Sequence, residues 1–138
     1  MRSWHYLLDT NILSNLIRYP RGKIAQIIRQ RGQDLICTNI IVASELRFGA
    51  QQKNSPLLLQ RINELLDNIA VLSLSPETGI DHHYAQIRIY LEQQGTPIGP
   101  NDLLIAAHAR SQNLILVTDN SKEFSRVPEL TIENWLIP

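Results

Sequence analysis

Four acidic side chains, far apart along the chain, follow or begin predicted structural elements. They are Asp9, Glu45, Asp102 and Asp119. Carboxylates that gather without basic partners cannot all remain ionised unless a cation joins them. All-oxygen ligand sets select hard divalent ions, Mg²⁺ or Mn²⁺, over zinc. Such ions activate water and stabilise a leaving oxygen, so the chemistry that these residues indicate is hydrolysis of a phosphodiester bond.

Each of these acids also has an ordinary structural explanation. Asp9 is placed to cap a helix, and Asp102 complements the positive end of a helix that starts near Pro100. Asp119 is typical of a turn. Glu45 lies on an otherwise apolar helical face, where a salt bridge to a distant arginine explains it as well as a metal does. Only the convergence of all four acids distinguishes a site from unrelated helix ends.

Short apolar runs alternate with helical patterns along the chain. The predicted strands are 5–8, 35–38, 70–74, 114–117 and 130–132, and the predicted helices are 12–17, 24–31, 40–51, 55–68, 76 to about 95, and 101 onward. Asn39 and Asn101 are placed as helix caps. This alternation predicts an α/β fold with an open, mainly parallel sheet of about five strands and helices on both faces. Ligands of such sheets bind at the carboxyl ends of the strands, where the four acids are expected to meet.

Composition and charge limit the function classes. The chain has 138 residues, enough for one domain, and 13 basic side chains balance 13 acidic ones. It is therefore no strongly basic nucleic-acid coat, and nucleic-acid binding would rest on a local patch, a dimer groove or metal ions. The single cysteine, Cys37, is expected to be a buried thiol. Neither a leader peptide nor a membrane-spanning run is evident, which favours a cytoplasmic protein.

The histidines do not form a metal site by their spacing. His82 and His83 occupy adjacent helical positions, which point in different directions, and neither has a second ligand at helical spacing. His108 follows Asp102 by six residues on the same helix and points away from it. We predict surface or packing roles for all three.

Four blocks of sequence carry a family resemblance. They are LLDTN at 7–11, ASELRFG at 43–49, IGPNDLLIAAHA at 98–109 and VTDNSKEF at 117–124. This set resembles the acidic blocks and tail of PIN-domain ribonucleases, and more closely those of the VapC toxins of bacterial toxin-antitoxin pairs. Because the resemblance spans almost the whole chain in the right order, it implies a single PIN domain over 1–138 with a three-layer fold.

The resemblance also implies roles for individual residues. The core catalytic and metal-binding acids would be Asp9, Glu45 and Asp102. The fourth position is Asp119 or Asn120, of which Asp119 is the better ligand chemically. Thr10 and Asn11 would hold the Asp9 carboxylate, and Thr118 would position a carboxylate or water.

The activity implied is that of a Mg²⁺-dependent endoribonuclease, with Mn²⁺ as an alternative ion. It would cleave tRNA or another structured RNA and so inhibit translation. The family further implies a homodimer and a cognate VapB-type antitoxin that blocks the acidic pocket in a larger hetero-oligomer.

Two other interpretations remain open from the sequence. An aspartate-based phosphatase or phosphotransfer domain also clusters aspartates at strand ends, but a phosphatase of this kind needs Asp-x-Asp, and Asn11 stands at the second position. Lys122 is a candidate for the lysine of a receiver domain. The other interpretation is a catalytically inactive PIN-like module that binds a partner, against which the three intact core acids count.

Overall fold

The computed structural model describes residues 4–137, and its central feature is a sheet of five strands. The strands are β1 (Tyr6–Leu8), β2 (Ile36–Asn39), β3 (Ala70–Leu72), β4 (Ile115–Val117) and β5 (Ile132–Glu133). Their order in the sheet is β3-β2-β1-β4-β5, and every neighbouring pair is parallel. The predicted α/β architecture is therefore confirmed, with β1 at the centre of the sheet.

Helices occupy most of the chain between the strands. They are α1 (Thr10–Arg18), α2 (Lys23–Arg31), α3 (Ile40–Gln52), α4 (Pro56–Asp67), α5 (Ile80–Gln93), α6 (Pro100–Ser111) and α7 (Ser121–Phe124). Helix α1 contacts α2, α3 and α4, whereas α5 packs against α6. Because crossovers between parallel strands are right-handed as a rule, these two groups of helices cover opposite faces of the sheet, which gives three layers. Within residues 4–137, no helix combines the length and apolar character needed to span a membrane.

The central strands are buried because helices cover both faces of the sheet. Leu7 and Leu8 of β1 and Leu116 of β4 are completely inaccessible to solvent. Cys37 of β2 is equally buried, as predicted, and burial raises the pKa of its thiol to about 12. Such a thiol stays protonated and unreactive in the folded protein.

Helix α6 begins earlier than the sequence suggested. The predicted cap, Asn101, is wrong: Gly99 occupies the N-cap position and Pro100 is the first helical residue. Proline is favoured there because its fixed φ suits a helix and its missing N–H would be unpaired anyway. In contrast, Asn39 caps α3 as predicted, and its Oδ1 accepts from the Val42 backbone N–H at 2.9 Å.

The predicted helix from 76 to 95 is interrupted near its start. Pro76–Thr78 forms one 3₁₀ turn, and α5 begins only at Ile80. Between them Gly79 adopts a φ of +77°, a left-handed conformation that glycine enters without the steric cost of a Cβ. Strand β3 is two residues shorter than predicted. Strand β5 starts two residues later and ends one residue later than predicted, and its register pairs Ile132 with Leu116 of β4.

Candidate active site

A cavity of about 460 Å³ lies at the carboxyl edge of the sheet, and all four predicted acids line it. Asp9 directly follows β1, and Asp119 lies two residues beyond β4. Glu45 lies in the second turn of α3, and Asp102 in the first turn of α6. The fold thus brings together at one edge side chains that are up to 110 residues apart.

Asp9 is held in a fixed orientation. Its side chain is buried, with 5% exposed, and both carboxylate oxygens accept hydrogen bonds. The Thr10 backbone N–H donates to Oδ1 at 2.8 Å, and Thr118 Oγ1 donates to Oδ2 at 2.8 Å. Burial raises the pKa of Asp9, the charges of Glu45 and Glu123 add to the increase, and the two hydrogen bonds oppose it. The Thr118 hydroxyl therefore positions a carboxylate.

Thr10 and Asn11 connect the acids to one another. The Thr10 hydroxyl donates to Glu45 Oε1 at 2.6 Å and so fixes the half-buried Glu45 side chain against α1. Asn11 was expected to hold Asp9, but its Oδ1 instead accepts from the Asp119 backbone N–H at 3.1 Å. This bond joins the loop after β4 to the start of α1.

Asp102 contacts an acid that the sequence analysis had not selected. A hydrogen bond with Glu123 on α7 is among the causes that favour the protonated form of its carboxyl group. Burial raises the pKa of Asp102 to about 7, helped by this hydrogen bond and by the charges of Glu123, Asp9 and Glu45. One signal for Glu123 was available: Asn120 and Glu123 have the spacing of a helix-capping pair directly after β4.

The two candidates for the fourth position both line the cavity but differ in their contacts. Asp119 is exposed, and its Oδ1 accepts from Asn134 Nδ2 at 3.0 Å. Asn120 Nδ2 donates to Glu123 Oε2 at 2.8 Å, and the Asn120 backbone N–H donates to Thr118 Oγ1 at 3.0 Å. Asn120 thus supports Glu123, while Asp119 lies at the outer margin.

The site carries an excess of negative charge. Two salt bridges form within residues 4–137, Arg31–Glu133 and Arg88–Glu92, and neither involves an acid of the cavity. In this same part of the chain, no group of three Asp, Glu, His or Cys side chains lies close enough together to hold a metal ion as the side chains stand. The acids instead surround an open cavity, two of them with raised pKa values. The cavity lining has four acids against one cation, Arg18, and this excess of oxygen donors fits a hard divalent cation.

The histidines have structural roles, as predicted. His108 is completely buried; Asn39 Nδ2 donates to its Nδ1 at 3.0 Å, and the Gln112 amide lies 3.0 Å from its Nε2. His83 Nδ1 accepts from Arg110 Nε at 2.8 Å, which joins α5 to α6. His82 is exposed on α5.

Comparison with known proteins agrees with this geometry. The PIN domain family model matches residues 6–130. The chain is 38% identical to ribonuclease VapC2 of Haemophilus influenzae over 95% of this chain and 98% of the relative, and 36% identical to the tRNA(fMet)-specific endonuclease VapC of Shigella flexneri over 94% and 97%. The structure of DNA-bound VapBC from Salmonella typhimurium superposes with a TM-score of 0.87 at 33% identity, covering 96% of this chain and 98% of that one. The chain therefore belongs to the PIN-domain family and, within it, to the VapC ribonucleases.

Proposed function

We propose that this chain is the toxin of a VapBC-type pair and acts as a metal-dependent endoribonuclease on structured RNA, foremost tRNA, so that translation is inhibited. The observation that carries the proposal is the convergence of Asp9, Glu45 and Asp102 on one cavity in a chain of the VapC family. The choice of tRNA is supported by the relative at 36% identity that is named a tRNA(fMet)-specific endonuclease.

The residues that would hold Mg²⁺, or Mn²⁺, are the carboxylates of the cavity. They are Asp9, Glu45 and Asp102, with Asp119 or Asn120 at the fourth position. A bound ion of this kind lowers the pKa of water and offsets negative charge on the leaving oxygen of a phosphodiester.

The chain's own residues prepare these carboxylates. The Thr118 hydroxyl and the Thr10 backbone N–H fix both oxygens of Asp9, so the carboxylate does not need to reorient when a ligand arrives. The Thr10 hydroxyl binds one oxygen of Glu45 and leaves the other free. Protonation of Asp102, which its raised pKa favours, lowers the repulsion in the cavity, and loss of that proton would give the site the charge that a divalent cation needs.

The partners proposed are a VapB-type antitoxin and a second copy of the chain. Several similar structures are complexes of toxin and antitoxin, including VapBC2 of Rickettsia felis bound to a promoter DNA fragment, at 34% identity and a TM-score of 0.83. We propose the same arrangement here, with a single PIN domain over 1–138, a homodimeric toxin and a cytoplasmic location.

The two alternatives are less well supported. A phosphotransfer domain is disfavoured because the PIN family model covers 6–130 and curated VapC relatives match almost the whole chain. An inactive binding module is disfavoured because all three core acids are present and line one cavity.

The test is incubation of total RNA with the purified chain, free of antitoxin, in Mg²⁺, Mn²⁺ or EDTA. We expect discrete products from the tRNA fraction, absent in EDTA and reduced at least 100-fold in Asp102→Asn, since metal-site acids supply several kcal/mol of transition-state stabilisation. Asp67→Asn, an exposed acid at the end of α4, is the matched control and should cleave normally. A folded chain that cleaves no RNA with either ion would support the binding-module alternative.

A further inference from the structure

A second cavity, of about 300 Å³, lies beside the acidic one in the groove between α1, α3 and α4. Three basic side chains line it, one from each side of the groove: Arg18 at the end of α1, Lys53 just after α3 and Arg61 on α4. Glu45 is the only acid among its lining residues. The groove therefore has an excess of positive charge beside a cavity with an excess of negative charge.

These three cations are available for a ligand. All three side chains are exposed, and the salt bridges within the described part of the chain involve none of them. Other cations are engaged elsewhere: Arg31 and Arg88 pair with glutamates, and Arg110 binds His83 and Gln86. Because the chain has no net charge, any affinity for a polyanion must come from a local patch.

The two cavities form one continuous surface. Thr10, Ser14, Arg18 and Glu45 line both of them. A polymer with one phosphodiester at the acids can therefore continue into the groove without leaving the protein surface. Arg18 lies at the junction, since it also lines the acidic cavity.

We propose that Arg18, Lys53 and Arg61 bind the backbone phosphates of the RNA next to the scissile bond and so position it at the acids. The inference rests on the proposed function and identifies how the substrate reaches that site. Lysine and arginine contacts to phosphates supply most of the sequence-independent affinity of nucleic-acid-binding proteins. The apolar side chains at the base of the groove would also suit a peptide, but three cations against one acid, in a wall shared with the hydrolytic cavity, favour the substrate.

The experiment measures binding separately from cleavage. The probe is fluorescein-labelled initiator tRNA, titrated with the Asp102→Asn protein in EDTA at several salt concentrations. Lys53→Gln and Arg61→Gln are combined in the test variant. The matched control, Arg29→Gln combined with Arg126→Gln, removes two exposed cations that line neither cavity. Its net charge is therefore the same as that of the test variant.

We expect the test variant to bind roughly 25-fold more weakly at 0.1 M salt, because each phosphate contact contributes about 0.7 to the slope of log affinity against log salt. The slope itself should fall by about 1.4, while the control should match the unsubstituted protein. Equal circular dichroism spectra and melting temperatures would show that the variants are folded.

Two results would overturn the proposal. One is equal loss of affinity in the test and control variants, which would indicate general charge attraction only. The other is unchanged tRNA binding with weakened binding of the antitoxin, which would assign the groove to the protein partner. Both results are independent of the nuclease assay. A chain that cleaves RNA with Mg²⁺ but binds tRNA equally well without Lys53 and Arg61 would refute only the proposed role of the groove.

Discussion

The pKa of Asp102 is raised to about 7, so this carboxyl group retains its proton to a higher pH than an isolated aspartate does, and Glu123 is among the causes after burial. Asp9 and Asp102 could be selected from the sequence because they lie at a recognisable strand end and helix start, and Glu45 because it lies on an otherwise apolar helical face. Glu123 was not selected, because its spacing from Asn120 indicates only a helix cap and does not show that a four-residue helix turns it toward Asp102. The contact depends on the tertiary placement of α7 against α6.

A measurement of protein stability against pH tests whether neighbouring carboxylates repel the ionised Asp102 side chain. The pKa of Asp102 is raised from 3.8 to about 7, so between those values the unfolded chain loses a proton that the folded chain retains. The free energy of unfolding contributed by this group therefore falls as pH rises from about 4 to 7, and the loss is complete above 7. Asp102→Asn removes this penalty.

We expect Asp102→Asn in EDTA to melt roughly 3 °C above the unsubstituted protein at pH 8, with little difference at pH 4. The expected difference in melting temperature is modest because Asp102 is half-exposed and solvent screens the charges there. Differential scanning calorimetry at the two pH values measures the change, with Asp67→Asn as control. A lower melting temperature for Asp102→Asn at pH 8 would show that the carboxylate is not under repulsion.

At the scale of elements, the start of α3 is joined to α6 through one buried hydrogen bond. Asn39 uses its Oδ1 to cap α3 at Val42, which leaves its amide Nδ2 to donate to His108 Nδ1. The imidazole therefore accepts at Nδ1 and is neutral, in agreement with burial lowering the pKa of His108. Since α3 carries Glu45 and α6 carries Asp102, this bond helps to set the spacing of two site acids.

Substitutions at Asn39 separate its two functions. Asn39→Ala loses the cap and leaves a buried imidazole nitrogen without a donor, so we expect a loss of about 2–4 kcal/mol in the free energy of unfolding. Asn39→Ser keeps a capping oxygen and should lose about half as much. Urea denaturation measures both. Equal losses for the two variants would mean that the cap at Val42 contributes nothing, whereas no loss for Asn39→Ser would mean that the contact with His108 contributes nothing.

The elements themselves were largely predictable, and the errors have local causes. Apolar runs such as 114–117 identify central strands because both faces of the sheet are covered. The break at Gly79 was not predicted because helical periodicity continues across it, and the early start of α6 was not predicted because Asn101 is itself a typical cap residue. In each case a backbone preference of glycine or proline decided the boundary.

At the scale of the whole molecule, the strand order explains why the acids meet. From β1 the chain adds β2 and β3 on one side, then returns to add β4 and β5 on the other. The adjacent strands β1 and β4 therefore form the point at which the topology reverses, where open parallel sheets bind their ligands. Asp9 and Asp119 follow those two strands. The sequence predicted the edge but not the hydrogen-bond partners of Asn11 or Glu123, which depend on how loops from distant parts of the chain pack together.

Calorimetric titration with Mn²⁺ at pH 7.5 measures whether the carboxylates of this edge hold a divalent cation, as we propose. We predict saturable binding to the unsubstituted chain and to Asp67→Asn, and at least tenfold weaker binding to Asp102→Asn, because that substitution removes a charged ligand. Equal Mn²⁺ affinity in all three proteins, or no binding to a folded chain that still cleaves RNA, would contradict the proposed metal site.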